Sequence, residues 1–162
     1  MEKITSLAQK LVEHLSAQPH LTHLTLKKSE MFSWDHTACV IYFNPGAPNA
    51  MSYLLHECGH ALCNHAAYTR DVELLAMERE AWNEAMKLAA KYEVRLYNDS
   101  IESALDSYRD WLHSRSLCPS CSATGIQTAS HTYSCLNCHQ SWRVNEARTC
   151  ALRRYTHKKR SL

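Results

Sequence analysis

Long apolar runs are absent from this 162-residue sequence, and the longest, ACVIYF at 38–43, is far too short to cross a bilayer. The first eighteen residues are amphipathic and lack a small-residue cleavage site, so they do not predict a signal peptide. Glycine and proline are scarce, at three and four residues, and neither an internal repeat nor a low-complexity tract is present. With 45% hydrophobic and 21% charged residues, the composition is that of a globular protein. We therefore expect a cytoplasmic protein without a membrane partner.

Acidic residues are almost absent from the C-terminal part of the chain. Residues 1–114 carry ten Lys and Arg against fifteen Asp and Glu, whereas residues 115–162 carry eight against one. Four of the eight cysteines begin where this charge reverses, and they form two CxxC pairs. Such a change in composition predicts separate modules with different partners. We expect a first domain at 1–114, a cysteine-rich module at 115–144 and a basic tail at 145–162.

The spacing of apolar residues predicts an α+β fold for the first domain. Apolar residues at helical spacing favour helices, and two runs rich in β-branched and aromatic residues favour a pair of antiparallel strands. Asn49 directly precedes one helical segment and Ser100 begins another, and both are predicted N-caps. The predicted helices span 4–17, 50–68, 71–92 and 100–114, and the predicted strands span 23–29 and 37–44.

The segment YLLHECGHAL (53–62) contains an HExxH pattern. In a helix, His56 and His60 point the same way, so two neutral imidazoles can bind one Zn²⁺. Glu57 is rotated by about 100° from His56, close enough to take a proton from a zinc-bound water without being a ligand. The alternative is an ordinary polar helix face that carries two histidines by chance.

A third ligand is expected on the next predicted helix. Glu80 faces away from that helix's apolar stripe and is the preferred candidate, and Glu84 one turn later is expected to orient His56 or His60. Glu78 is the rival, although it would lie among apolar side chains. On a continuous helix His65 would be rotated by about 140° from His60, so it is not predicted as a ligand. The sequence has no HExxHxxGxxH continuation, which excludes the metzincin arrangement.

The stretch VIYFNPGAPNAMSYLLHECGHAL, followed by EREAWNEA, resembles the ImmA/IrrE-like metallopeptidases and related minimal gluzincins over about residues 36–90. The resemblance implies a small zincin-like domain that hydrolyses peptide bonds of a protein substrate, such as a regulator or a DNA-associated protein. It implies that His56, His60 and Glu80 bind the catalytic zinc and that Glu57 is the general base. It also implies that the strand Val40–Phe43 is the sheet edge that receives an extended substrate.

The cysteine-rich module has the spacing CxxC-x13-CxxC. Two CxxC turns bring four thiolates around one metal ion, and four protein ligands leave no open position, so a structural zinc ribbon is predicted. A redox CxxC is the alternative, but the pairing of two motifs argues against it. The segment CPSC to SW also resembles the C-terminal ribbon of SprT-like DNA-associated proteases. The predicted ligands are Cys118, Cys121, Cys135 and Cys138.

Basic residues surround two aromatic residues, Trp142 and Tyr155, near the end of the chain. This mixture suits phosphate contact and base stacking, which predicts nucleic-acid contact, and the alternative is a solvated tail. The sequence as a whole thus predicts a metallopeptidase with one catalytic and one structural zinc. The rival hypothesis is a non-catalytic nucleic-acid-binding ribbon protein. The basic residues are Arg143, Arg148, Arg153, Arg154, Lys158, Lys159 and Arg160.

Overall fold

The computed structural model describes residues 2–156, with side chains from residue 3 onward, and its architecture is α+β, as expected. The chain forms two compact units. One contains the residues up to Ala67 together with Ala76–Glu102, and the other contains Tyr68–Leu75 and the residues from Ser103 onward. No helix within residues 2–156 combines the length and the apolar character that crossing a membrane requires.

The first unit combines helices with a three-stranded sheet. Its central strand β3 pairs in parallel with β1 and antiparallel with β2, so the order is β1-β3-β2. The predicted antiparallel pair was therefore wrong: a short third strand lies between the two predicted ones in sequence, and β1 and β3 run the same way. The elements are α1 (Glu2–Leu15), a 3-10 turn (Pro19–Leu21), β1 (Thr25–Lys28), β2 (Ser33–Asp35), β3 (Val40–Phe43), α2 (Ala50–Leu62) and most of α3 (Asp71–Lys91).

The position of β3 also corrects the expected substrate edge. Because β3 is hydrogen-bonded on both sides, the free edges belong to β1 and β2. β3 is the most buried strand, since Val40, Ile41 and Phe43 are all in the core, which fits its nearly continuous apolar sequence.

Helix α2 is shorter than predicted and ends in a turn that reverses the chain. Cys63 caps the helix, and Asn64 follows with a left-handed φ of 54°. The Asn64 N–H donates to the Ala61 carbonyl and the His65 N–H to the His60 carbonyl, both at 3.0 Å, which is the Schellman pattern. At the other end Asn49 occupies the N-cap position, but its side chain makes no capping hydrogen bond.

Helices α2 and α3 approach closely at Gly59. A Cβ built on Gly59 would lie 2.1 Å from the Ala81 carbonyl oxygen, far inside ordinary contact. Glycine in a helix interior costs about 1 kcal/mol relative to alanine. The missing side chain is therefore what lets the two helix backbones come together.

The second unit is a cysteine ribbon, which we define as the sheet β4–β7 with its two CxxC turns. Its four strands are antiparallel in the order β4-β5-β6-β7, and its core includes Tyr133 and Trp142, whose rings stack 5.7 Å apart. Part of the predicted tail 145–162 therefore belongs to this sheet. The elements are α4 (Asn98–Ser116, whose later part lies in this unit), β4 (Ile126–Ala129), β5 (Thr132–Ser134), β6 (Ser141–Val144) and β7 (Arg154–Thr156).

The boundary predicted at residue 114 cuts through a buried network of the second unit. Arg115, with 0% of its surface exposed, donates two hydrogen bonds to Asp71 at 2.5 and 3.1 Å. The Tyr133 hydroxyl donates to the same carboxylate at 2.5 Å, and the Trp142 indole N–H donates to the Arg115 carbonyl. These contacts explain why residues 68–75 and the end of α4 are in one unit with the ribbon.

Candidate metal centres

Two imidazoles of α2 and one carboxylate of α3 converge in the first unit. His56 Nε2 lies 3.1 Å from His60 Nε2 and 3.1 Å from Glu78 Oε2, and His60 Nε2 lies 3.5 Å from Glu78 Oε1. Zinc bonds of about 2.05 Å in a tetrahedron would separate such atoms by about 3.4 Å. All three residues are buried, with 7%, 9% and 4% exposed. The donor set and its spacing therefore fit a single zinc ion.

Glu78 occupies the place predicted for Glu80, which corrects the sequence assignment. The prediction assumed that a ligand would avoid the apolar face of α3, but His56 and His60 are themselves buried between apolar side chains, so the converging carboxylate is on that face. Glu80 lies 3.2 Å from His65 Nε2 and keeps 55% of its side chain exposed. Glu84 accepts from Lys87 at 2.6 Å instead of orienting His56 or His60.

His65 contacts the cluster, although it was not predicted to. Its Nδ1 lies 2.9 Å from His60 Nδ1, on the side of the His60 ring opposite to the one that faces Glu78. The azimuth calculated for a continuous helix does not apply, because α2 ends at Leu62 and the left-handed Asn64 folds His65 back over the last turn. Asparagine directly after a helix is a known signal for this reversal, and it could have placed His65 correctly.

The ionisation of the cluster suits a metal site. Burial lowers the pKa of His56, and this outweighs the raising effect of its hydrogen bond with Glu78. Burial also lowers the pKa of His65. Burial alone would raise the pKa of Glu78, but hydrogen bonds from His56 and His60 hold it well below the usual range. The cluster therefore offers an ionised carboxylate at Glu78 and a neutral imidazole at His56, the forms in which these side chains bind metals.

The His56 ring is held by stacking and not by hydrogen bonding at its outer nitrogen. The Trp82 indole stacks on it with the ring centres 4.2 Å apart and 28° between the planes. Among residues 2–156, the buried Nδ1 of His56 has no hydrogen-bond partner. Tyr53 in turn packs on Trp82 and Phe32. Glu57, the predicted general base, follows His56 on α2 and is half-buried.

The four cysteines predicted as zinc ligands converge in the second unit. The Sγ atoms of Cys118 and Cys138 are 3.5 Å apart, those of Cys121 and Cys135 are 3.6 Å apart, and all four lie within 4.8 Å of one another. These distances are much longer than a disulfide and close to the roughly 3.8 Å between sulfurs in a tetrahedral zinc site. The Ala123 N–H and the Asn137 amide lower the pKa of Cys121 to about 6, which favours the thiolate.

Both CxxC turns have the same backbone geometry. The residue after the second cysteine, Ser122 in one turn and His139 in the other, has a left-handed φ of 60° and 59°. Its N–H donates to the carbonyl of the first cysteine, at 2.9 Å for Cys118 and 3.0 Å for Cys135. In each turn the first cysteine N–H bonds to the carbonyl five residues later, at 2.9 Å. The matching turns present their thiols alike, as a shared metal ion requires.

The predicted basic surface is only partly available. Arg143 on β6 pairs across the sheet with Tyr155 on β7, and both are exposed, as is Arg153. Trp142 is 1% exposed and belongs to the ribbon core, so the prediction that it stacks on bases was wrong. Arg154 donates to the Ser114 carbonyl, and Arg148 donates to the Tyr108 hydroxyl. Three predicted contact residues lie outside the described residues: Lys158, Lys159 and Arg160.

No protein-family model matches the chain, and comparisons with curated proteins and with solved structures found no match. What the chain does is therefore argued from the two clusters themselves. The histidine–glutamate cluster has three protein donors and could leave a coordination position open, whereas the cysteine cluster has four and could not. In zinc proteins the first pattern is typical of catalytic sites and the second of structural ones.

Proposed function

We propose that the protein is a cytoplasmic zinc metallopeptidase, in which a zincin-like domain carries the catalytic site and the cysteine ribbon binds a structural zinc. The observation that carries the proposal is the convergence of His56, His60 and Glu78 with ligand spacing, beside a glutamate that directly follows the first histidine. A reducing compartment fits the proposal, because thiols that bind a metal must not be oxidised to disulfides.

Three residues would hold the catalytic ion and a fourth would transfer protons. Zinc in such a site polarises a substrate carbonyl and lowers the pKa of a bound water to about 7. Glu57 would accept the proton of that water and later deliver it to the leaving amine. Stacking on Trp82 would keep the His56 imidazole fixed, and burial would keep the Glu78 carboxylate fixed. Little reorganisation of these groups would then be needed during the reaction.

The substrate in this proposal is an extended segment of a protein, for example of a regulator or a DNA-associated protein. The strand β2 is the free edge on the side of the site, since its Trp34 indole N–H donates to the His65 carbonyl at 2.9 Å. An extended peptide could add to this edge through main-chain hydrogen bonds. Tyr53, which is 41% exposed and packs on Trp82, is the tyrosine best placed to contact it.

Metal content and one conservative substitution test the proposal. The purified chain should contain two zinc ions, one released by His56→Ala and the other by Cys118→Ser. Glu57→Gln should keep both ions and lose at least 100-fold in hydrolysis of a denatured protein, because general acid–base catalysis contributes about 10²–10⁴-fold. Glu84→Gln, whose carboxylate pairs with Lys87, is the matched control and should retain activity. Wild-type activity in Glu57→Gln would refute the mechanism.

The ribbon surface supports a second candidate function, nucleic-acid binding. The exposed Arg143 and Tyr155 are cross-strand neighbours, which places a cation beside a ring that a base could stack on. Arg143→Ala and Tyr155→Ala should each weaken the retention of single-stranded oligonucleotides, and retention should fall steeply with salt. If Glu57→Gln binds oligonucleotides normally but the wild type hydrolyses no protein, the ribbon function would stand alone.

A further inference from the structure

We propose that Glu80 and His65 form a hydrogen-bonded relay that positions His60 for the metal. In this relay His60 Nδ1–H donates to His65 Nδ1, and His65 Nε2–H donates to the Glu80 carboxylate. The inference rests on the proposed function, since it requires that His56, His60 and Glu78 bind a metal. It gives roles to two residues that have no place in that three-ligand set.

A count of protons fixes the direction of the relay. A neutral imidazole carries one N–H, so the 2.9 Å contact between the two Nδ1 atoms needs one donor and one acceptor. If His60 Nε2 binds a metal, its proton must be on Nδ1, which makes His65 Nδ1 the acceptor. The proton of His65 is then on Nε2, 3.2 Å from Glu80 Oε2. The Glu80 carboxylate is therefore the acceptor that the His65 Nε2–H needs.

The backbone holds His65 in place for this role. Its N–H donates to the His60 carbonyl at 3.0 Å, and its carbonyl accepts from the Trp34 indole at 2.9 Å. The His65 side chain is buried, so its nitrogens do not exchange these partners freely with water. His56 differs, because its outer nitrogen has no partner within residues 2–156 and its ring is held by Trp82. His60 is therefore the ligand whose tautomer the chain determines.

A rival arrangement uses the same atoms. Cys63, His65 and Glu80 are close enough to hold a metal of their own. A metal on His65 Nε2 would move that ring's proton to Nδ1, and His60 would become the acceptor. The proton of His60 would then be on Nε2, toward Glu78, where it would block the inner site. The relay and the outer site therefore predict opposite tautomers and opposite effects on metal binding.

Zinc affinity of the full-length chain tests the relay without any measurement of hydrolysis. Protein that already holds one equivalent in the ribbon is titrated with Zn²⁺ against a chelator. His65→Phe should weaken the second equivalent by up to about 100-fold, and Glu80→Ala, whose carboxylate is half-exposed, by about tenfold. Glu80→Gln should recover most of this loss because its amide oxygen still accepts a hydrogen bond. Glu84→Ala, one turn along α3, should bind like the wild type.

Further readouts separate positioning from a purely structural effect. Long-range ¹H–¹⁵N spectra of the zinc form should show protons on His60 Nδ1 and His65 Nε2, and Glu80→Ala should leave the metal-free stability unchanged. A second equivalent bound as tightly in Glu80→Ala as in the wild type would overturn the relay alone. So would a metal on His65 Nε2 that Cys63→Ser removes. A wild type that binds no second equivalent would overturn the relay together with the proposed function.

Discussion

Gly59→Ala is the substitution whose effect can be worked out most directly from the structure. In an ordinary helix this change stabilises by about 1 kcal/mol. Here the new Cβ would lie 2.1 Å from the Ala81 carbonyl oxygen, against an ordinary limit of 3.4 Å. One helix must therefore move by about 1.3 Å, and overpacking of this kind typically costs 1–3 kcal/mol. Set against the gain of about 1 kcal/mol, this cost leaves an expected net loss of up to about 2 kcal/mol in the free energy of unfolding.

The same shift should disturb the candidate catalytic site. Glu78 is three residues before Ala81 on α3, and metal–ligand distances tolerate only about ±0.2 Å. Zinc affinity of the histidine–glutamate cluster should therefore fall by at least about tenfold. Losing a residue that hydrogen-bonds a metal ligand typically has an effect of this size. Chemical denaturation and chelator competition measure the two effects. Gly46→Ala, whose Cβ would meet only Asn44 at 3.6 Å, is the control. Unchanged stability and affinity in Gly59→Ala would refute the reasoning.

Three further substitutions or conditions test other contacts. Arg115→Met should destabilise the ribbon by about 3–5 kcal/mol, measured as earlier zinc release during denaturation, because it leaves the Asp71 carboxylate buried without its cation. Asn64→Val should cost about 1–2 kcal/mol in thermal unfolding, because a β-branched residue resists the left-handed φ, whereas Asn64→Gly should cost nothing. Acid should destabilise the metal-free protein from about pH 6.5 downward: the pKa values of His56 and His65 are lowered by folding, so the unfolded chain binds protons first. A flat stability between pH 7 and 5 would contradict this.

The sequence was most informative where one rule governed one element. The helix predicted at 71–92 is found at Asp71–Lys91, because its apolar residues recur with a single helical period. The CxxC spacing likewise identified all four clustered thiols, since a short knuckle determines its own geometry. In both cases neighbouring residues contain the whole signal, and no long-range contact has to be known.

Predictions failed where long-range contacts decide the outcome. β1 and β3 pair in parallel because β2, which lies between them in sequence, pairs with the other side of β3. The three residues of β2 are too few to show a strand pattern in the sequence. The choice between Glu78 and Glu80 depended on which face of α3 meets α2. The close approach of the two helices at Gly59 determines which face of α3 meets α2. The sequence shows a glycine inside a helix but not which element packs against it.

The two buried polar clusters differ in a way that bears on function. In the second unit, the Asp71 carboxylate meets the Arg115 guanidinium and the Tyr133 hydroxyl, so the charge is balanced by the chain itself. In the first unit, the Glu78 carboxylate meets two imidazoles and, among residues 2–156, no Arg or Lys, and burial lowers the pKa of one of them, His56. The facing Nε2 atoms of His56 and His60 lie only 3.1 Å apart. Burying a carboxylate beside two imidazoles costs free energy that a bound cation would offset, and this difference favours the metal site proposed for the first unit.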